Sequence, residues 1–301
     1  MQDKIVGGLL KLPPDDRDFK VGSIMTLPKL EELPKEFKLK TLGIKNQYQS
    51  DYCSAFSTTL VSEAQEGVEL SPEWHFAVSK MLSGDVQGWG QDLRTACEVS
   101  VKHGDLLQKD APYTLKDKSD MVLRDIKNWP NLFHLAIGQK KKSYIKVKGP
   151  YDDFDDIRAT LFKLQTPIMI GLTWSWGMNH YELKGITDDG FGHAITVIGW
   201  NDKGLILQNS GGIRVGLNGE HVIGREEINH FVSQYGAFTF LDLSPEEVKE
   251  LMKRGIILEQ LSLMNKALIL LSILIKKLHE NTKKTLGFIG ELVEGVFNKR
   301  N

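Results

Sequence analysis

The chain has 301 residues, 41% hydrophobic and 26% charged, the proportions of a globular protein of one large or two small domains. Its 38 basic and 39 acidic residues leave a formal net charge of −1, so nothing electrostatic points to nucleic acid. Two cysteines cannot build a disulfide framework and the N-terminus has no apolar core of signal-peptide length, so a cytoplasmic, reducing setting is expected.

The first 45 residues carry Pro13, Pro14, Pro28 and Pro34. Proline at that density predicts an extended arm and not a helix. The arm is expected to wrap the domain and to lie near its cleft. Helices are predicted over 53–66, 71–83 and 91–103, where apolar residues recur at helical spacing. Cys53 opens the first of them, directly after a polar loop. A thiol there faces unpaired backbone N–H groups and the positive end of the helix dipole, and both favour the thiolate. Gln47, six residues earlier, offers a side-chain amide to the same place as an oxyanion donor.

From residue 144 the pattern turns to strands. Residues 144–148 alternate, 154–164 read as a helix, and Thr166-Pro167 break it. Strands are predicted over 167–173, 193–200, 205–209 and 237–241. His193 follows a glycine-rich turn and opens one of these strands, a rigid mount for a general base. Asn209 closes the next strand, where its amide can orient the imidazole. Cys, His and Asn in that order give nucleophile, base and orienter. Cys97, in a helical apolar setting, reads as a small buried residue. His180 and His221 lie in loop-like stretches and are candidate cleft residues; His75, His103, His134 and His279 suggest no role.

Residues 244–301 read as a separate helical extension. Ser244-Pro245-Glu246-Glu247 is a helix start. Leu261, Met264, Leu268, Leu271, Ile275 and Leu278 then form an a/d seam, widened by Leu270 and Leu274. A second short helix is predicted over 285–297. Such a face needs a cover, so residues 246–280 are expected to mediate homo-oligomerisation or docking onto a larger assembly. The densest apolar run, 267–275, falls far short of the roughly 20 residues that span a bilayer, so membrane contact is not expected. There is no Cys-x-x-Cys, no His-Glu-x-x-His and no phosphate-binding glycine loop, so neither metal nor cofactor is expected.

Taken together, these residues resemble the papain-like cysteine peptidases. In that family His and Asn lie roughly 130–150 residues after the Cys; here they lie 140 and 156 after it. Gln47, Ala55-Phe56-Ser57, Gly192-His193-Ala194 and Asn209-Ser210 are similar to the family's motifs. Leu70-Ser71-Pro72-Glu73, Gly104 and Ala111-Pro112-Tyr113 resemble its helical half. The likeness covers roughly 14–243. It implies an α+β fold with two lobes, a helical one carrying Cys53 and a β-barrel one carrying His193 and Asn209. The implied domains are an arm over 1–45, a peptidase domain over 46–243 and the extension over 244–301. The implied activity is hydrolysis of polypeptides through a Cys53 thioester. Gly88-Trp89-Gly90 falls where the family meets the substrate backbone.

Three departures matter. Ser50 replaces a disulfide cysteine, Ser54 an aromatic residue, and Gly211 the tryptophan that shields the Asn–His hydrogen bond. Loss of that shield is expected to weaken the bond and give a slow enzyme. Without a helical prodomain, control of activity is expected to lie elsewhere than in the arm. Asp15-Asp16-Arg17-Asp18-Phe19 resembles bacterial and phage-type leaders, which makes a virion component a further expectation. Two alternatives stay open: a thiol acyltransferase or amidase using the same site, and a papain-fold assembly component with weak or no catalysis.

Overall fold

The computed structural model describes residues 7–13, 15, 18–85, 88–113, 129–175 and 178–253. The helical lobe holds α1 (Cys53–Glu66), α2 (Pro72–Ser83), α3 (Leu93–Lys102) and α4 (Trp129–Ala136). Each of the first three begins or ends where the chemistry dictates. Gly67 closes α1 in the left-handed region, at φ 70°. Ser71 caps α2 through the Trp74 N–H, with Pro72 at the first position. Asp92 caps α3 through Thr95 N–H. Helix α4 has no counterpart in the sequence reading.

The other lobe is a sheet of eight strands: β1 (Phe37–Lys38), β2 (Ser143–Lys146), β3 (Ile168–Trp174), β4 (Glu182–Leu183), β5 (Phe191–Asn201), β6 (Gly204–Gln208), β7 (Glu220–Ile223) and β8 (Ala237–Leu241). Their order is β2-β8-β3-β5-β6-β7-β4, and β1 pairs with β5. All pairings are antiparallel except β4 with β7. The longest strand, β5, is central. It pairs with β3 from Phe191 to Val197 and with β6 from Thr196 onward, shifting register between Val197 and Gly199. Helices α5 (Asp153–Leu164) and α6 (Arg225–Tyr235) flank the sheet; α6, like β7, was not foreseen. Gln165, at φ 53°, ends α5 just before the predicted Thr166-Pro167 break.

Between the lobes α1 is buried along most of its length, although it is rich in Ser and Thr. Several of its polar groups are paired, and one of these pairs ties the lobes together. Ser57 and Thr196 share a hydrogen bond of 2.8 Å, and Glu63 pairs with Lys45 and accepts from Leu70 N–H at 2.7 Å. The main core joins α1 and α3 to β3, β5, β6 and β8. A second cluster packs Val21, Ile24, Met25 and Leu27 of the arm against Ile145 and Leu241. Helix α7 (Pro245–Lys253) adds the fully buried Val248 to that cluster. The first turns of the expected assembly segment thus pack on the chain's own domain. The seam from Leu261 to Leu278 and the helix expected over 285–297 lie outside the described residues.

Candidate active site

Cys53 is the first residue of α1 and has no exposed surface. The backbone N–H groups of Ala194, Gly8 and Ser54 approach its sulfur. Ala194 follows His193 on β5, so that strand carries the histidine to the same junction of the lobes as the thiol. His193 donates from Nε2 to Asn209 Oδ1 at 2.9 Å. Its Nδ1 is buried and has no hydrogen-bond partner among the described residues. A neutral ring with the proton on Nε2 keeps its lone pair on Nδ1, the nitrogen left for a thiol proton.

The Asn209 amide is itself held. Its Oδ1 also accepts from Ser210 N–H at 2.8 Å, and its Nδ2 lies 3.1 Å from His221 Nε2. The expected exposure of the His193–Asn209 bond is not found: both partners are buried. The cover comes from a different strand. Trp174, at the end of β3, packs its ring 5.1 Å from that of His193 and 5.1 Å from that of His221. The loss of a tryptophan at Gly211 is thereby made good, and with it the reason for expecting a slow enzyme disappears.

Gln47 is also fully buried. Its Nε2 donates to Ser50 O at 2.7 Å, its Oε1 accepts from the Ser210 hydroxyl, and its own N–H donates to Ser210 O at 2.7 Å. The amide therefore has one orientation, nitrogen toward the loop that leads into Cys53. Asn209-Ser210 reaches both lobes at once, His193 through one residue and Gln47 through the next.

The cleft is not empty. Residues 7–10 of the arm run through it as an extended strand. Leu9 N–H donates to Gly192 O at 2.9 Å, and Gln91 N–H donates to Gly8 O at 2.7 Å. Leu10 N–H donates to Gln91 O at 3.2 Å, and Trp89 Nε1 donates to Gly7 O at 2.9 Å. Leu9 is buried in the main core and lies against Gly171. Of the predicted Gly88-Trp89-Gly90, Trp89 and Gly90 touch this strand. Gly90, at φ 70°, leaves room for Gly8 that a Cβ would fill. Asp51 Oδ2 accepts from Gly90 N–H at 2.6 Å, and Lys80 donates to Gly90 O at 2.9 Å. Gln91, which carries the backbone pairing, was missed; the glycine pattern pointed one residue short of it.

Two expectations change here. The arm, expected only to lie near the cleft, occupies it over the thiol. It is anchored by Arg94, which forms a two-point ion pair with Asp18 (2.7 and 3.0 Å) and donates to Pro13 O at 3.2 Å. Second, the buried pair is neutral. Burial pushes the Cys53 thiol up to about 12; the Ala194 and Gly8 N–H groups oppose this, Asp51 adds to it, and Ser54 N–H opposes it. Burial likewise pulls His193 down to about 4, against the hydrogen bond it donates to Asn209, with His221 adding to the fall. The helix N-terminus acts in the expected direction, but desolvation outweighs it.

Among the described residues no group of three or more His, Cys, Asp or Glu could hold a metal ion. Nor is any helix there long and apolar enough to cross a membrane. Both cysteines are free and buried.

A helical lobe presenting Cys at a helix start, facing a sheet lobe presenting His and Asn, is the papain-like α+β fold. No protein-family model matches the sequence, and no curated protein matches it. Solved structures do. Xylellain, a cysteine protease from Xylella fastidiosa, superposes with a TM-score of 0.66 at 18% identity, over 81% of this chain and 98% of that one. The digestive procathepsin L2 proteinase from Tenebrio molitor larval midgut gives 0.59 at 20% identity, over 78% of both chains. The bromelain protease from Ananas comosus, solved with the E64 inhibitor, gives 0.52 at 17% identity, over 69% of this chain and 99% of that one.

Proposed function

We propose that the chain is a cysteine peptidase acting on polypeptides, described here in an occluded form. One observation carries the reading. An extended peptide, the chain's own residues 7–10, lies over Cys53, donates to the Gly192 carbonyl on one lobe and exchanges backbone hydrogen bonds with Gln91 on the other. Recognition by backbone pairing suits polypeptide as a substrate class.

In the proposed reaction His193 Nδ1 takes the Cys53 proton as sulfur attacks a carbonyl carbon. The oxyanion forms between the Cys53 N–H and the Gln47 amide. His193 then protonates the leaving amine as the C–N bond breaks. Water, deprotonated by His193, attacks the thioester and releases the acid and the thiol. Asn209 keeps the ring in place. The arm is not attacked, because it presents the Gly8 N–H to sulfur while the Gly7 and Gly8 carbonyls bond to Trp89 and Gln91.

The free thiols support the cytoplasmic, reducing setting expected from the sequence. The apolar seam of residues 261–278 supports self-association, which the mass of the full chain by light scattering would test.

The test of the activity is intact mass after incubation with a thiol-alkylating epoxide. It is run on the full chain, on Leu9→Asp to loosen the arm, and on Leu9→Asp combined with Cys53→Ala or His193→Ala. One adduct on Leu9→Asp, absent from both double variants, together with cleavage of a peptide library, is the expected result. An adduct that persists without His193 would show that no Cys–His pair is assembled. Acylation that adds to a supplied amine instead of water would mark an acyltransferase.

A further inference from the structure

Behind the Cys53–His193–Asn209 set stands a second histidine that the reaction as drawn does not use. His221 is fully buried on β7, opposite Leu207 of β6. Its Nδ1 lies 2.7 Å from the backbone oxygen of His180, and its Nε2 lies 3.1 Å from Asn209 Nδ2. A carbonyl can only accept, so the His221 proton sits on Nδ1. In the neutral ring Nε2 is then a lone pair, and it takes the Asn209 N–H. That turns Asn209 Oδ1 toward His193, which must donate from Nε2 and keep its lone pair on Nδ1. The His180 carbonyl, acting through His221, thus fixes the amide direction from its nitrogen side as the Ser210 N–H fixes it from its oxygen side, and together they leave the lone pair of His193 on Nδ1.

We infer that His221 is a positioning residue that locks the Asn209 amide and, through it, the working tautomer of His193. This rests on the peptidase reading given above. The surroundings support it. Trp174 packs against both imidazoles and excludes the water that could otherwise satisfy Asn209. Gly216, at φ 62°, lies so close that a Cβ would meet the Glu220 carbonyl and the His221 ring. The ring therefore has little room to turn. Without the His221 acceptor the buried Asn209 Nδ2 loses its partner. Rotation of the amide, which gives up the Ser210 N–H bond to Oδ1, then competes with the original orientation and presents a donor to His193 Nε2. That favours the tautomer with its proton on Nδ1, which cannot accept the thiol proton. The loss should fall on kcat, because the amide touches no part of a bound peptide.

The test is long-range proton–nitrogen NMR of the full chain labelled with 15N-histidine, with assignments from His193→Gln and His221→Gln. In the wild type His221 should carry its proton on Nδ1 and His193 on Nε2. In His221→Leu the His193 signals should move toward the Nδ1–H form. In the Leu9→Asp chain the same change should lower kcat for peptide hydrolysis about tenfold or more with KM unchanged. His221→Gln, whose Oε1 can accept from Asn209, should restore both. A wild-type His221 protonated on Nε2 overturns the inference, even if His221→Leu fails to fold. An unchanged His193 tautomer in a folded His221→Leu overturns it too. If Leu9→Asp neither reacts with the epoxide nor cleaves peptide, the peptidase reading has failed; wrong tautomers in a reactive chain sink only the role of His221.

Discussion

Ser210 and Gln47, 163 positions apart, are joined by a hydrogen bond from the Ser210 hydroxyl to the Gln47 side-chain oxygen. The same serine's N–H holds Asn209 Oδ1. Orientation of the His193 ring and of the Gln47 amide, the proposed base and oxyanion donor, is therefore set by adjacent residues. Replacing Gln47 by Ala should lower kcat by about a hundredfold, the usual effect of losing one oxyanion donor. Ser210→Ala should lower it by about tenfold, since the donor remains but is less firmly aimed. Steady-state kinetics in the Leu9→Asp chain checks both; a Ser210→Ala enzyme with full kcat would show that Gln47 is oriented without it.

Seating of the arm depends on a close backbone approach. A Cβ on Gly8 would run into the Asp51 carbonyl. Gly8→Ala should therefore keep the arm out of the cleft and raise the rate of Cys53 alkylation in the full chain by at least about tenfold. Readmitting water removes the desolvation that holds the thiol at about 12 and the imidazole at about 4. The pH dependence of alkylation should accordingly show a lower thiol pKa in Gly8→Ala than in the wild type. Identical profiles would mean that the arm does not govern the pair.

His193 and His221 are both held near 4, against 6.5 when free, chiefly by burial. A base with a depressed folded pKa binds fewer protons folded than unfolded between those values. Stability is then complete above pH 6.5 and falls as pH drops toward 4. The loss is up to about 3 kcal/mol for each ring, and the two contributions are coupled. Urea unfolding at pH 7 and pH 4.5 should show a clear fall in midpoint, smaller in His221→Gln. A midpoint independent of pH would rule this out.

Val248 is the inward residue of α7, packed against arm and sheet, whereas Met252 is exposed. Val248→Ala should cost about 2 kcal/mol, and Met252→Ala less than about 0.5 kcal/mol. Thermal unfolding distinguishes them. Equal effects would mean that α7 does not pack on the domain.

Much of the layout was legible because it is local. The helices predicted over 53–66 and 71–83 follow from residues within a few positions of one another, and the structure has them at Cys53–Glu66 and Pro72–Ser83. Cys53, His193, Asn209 and Gln47 stood out by spacing; the structure bonds His193 to Asn209 and Gln47 to Ser210, and sets Cys53 against the Ala194 N–H. What was not legible depends on pairing between distant strands. Trp174 covers His193 only because β3 lies beside β5. His221 reaches Asn209 only through the register of β6 with β7, where Gln208 faces Glu220. Proline density foretold an extended arm, which holds for residues 7–10 but not for the single 3-10 turns at Val21–Ser23 and Leu30–Glu32, and no local pattern says that the arm pairs with Gln91. Charge states failed for the same reason: a helix start can be read from sequence, whereas the burial that outweighs it comes from segments of both lobes and the arm packed together.

The arm has one more consequence. It is fixed by Asp18 and Arg94, ten residues beyond Gly8. A strand lifted from the cleft remains tethered, at an effective concentration on the order of millimolar. Any peptide in solution competes with that built-in occupant, whatever its own fit to the cleft. The apparent KM of the intact chain is therefore a ratio of two affinities. Strengthening or weakening the Arg94 anchor should retune the range of substrate concentrations to which the protein responds, with no change to the residues that do the chemistry.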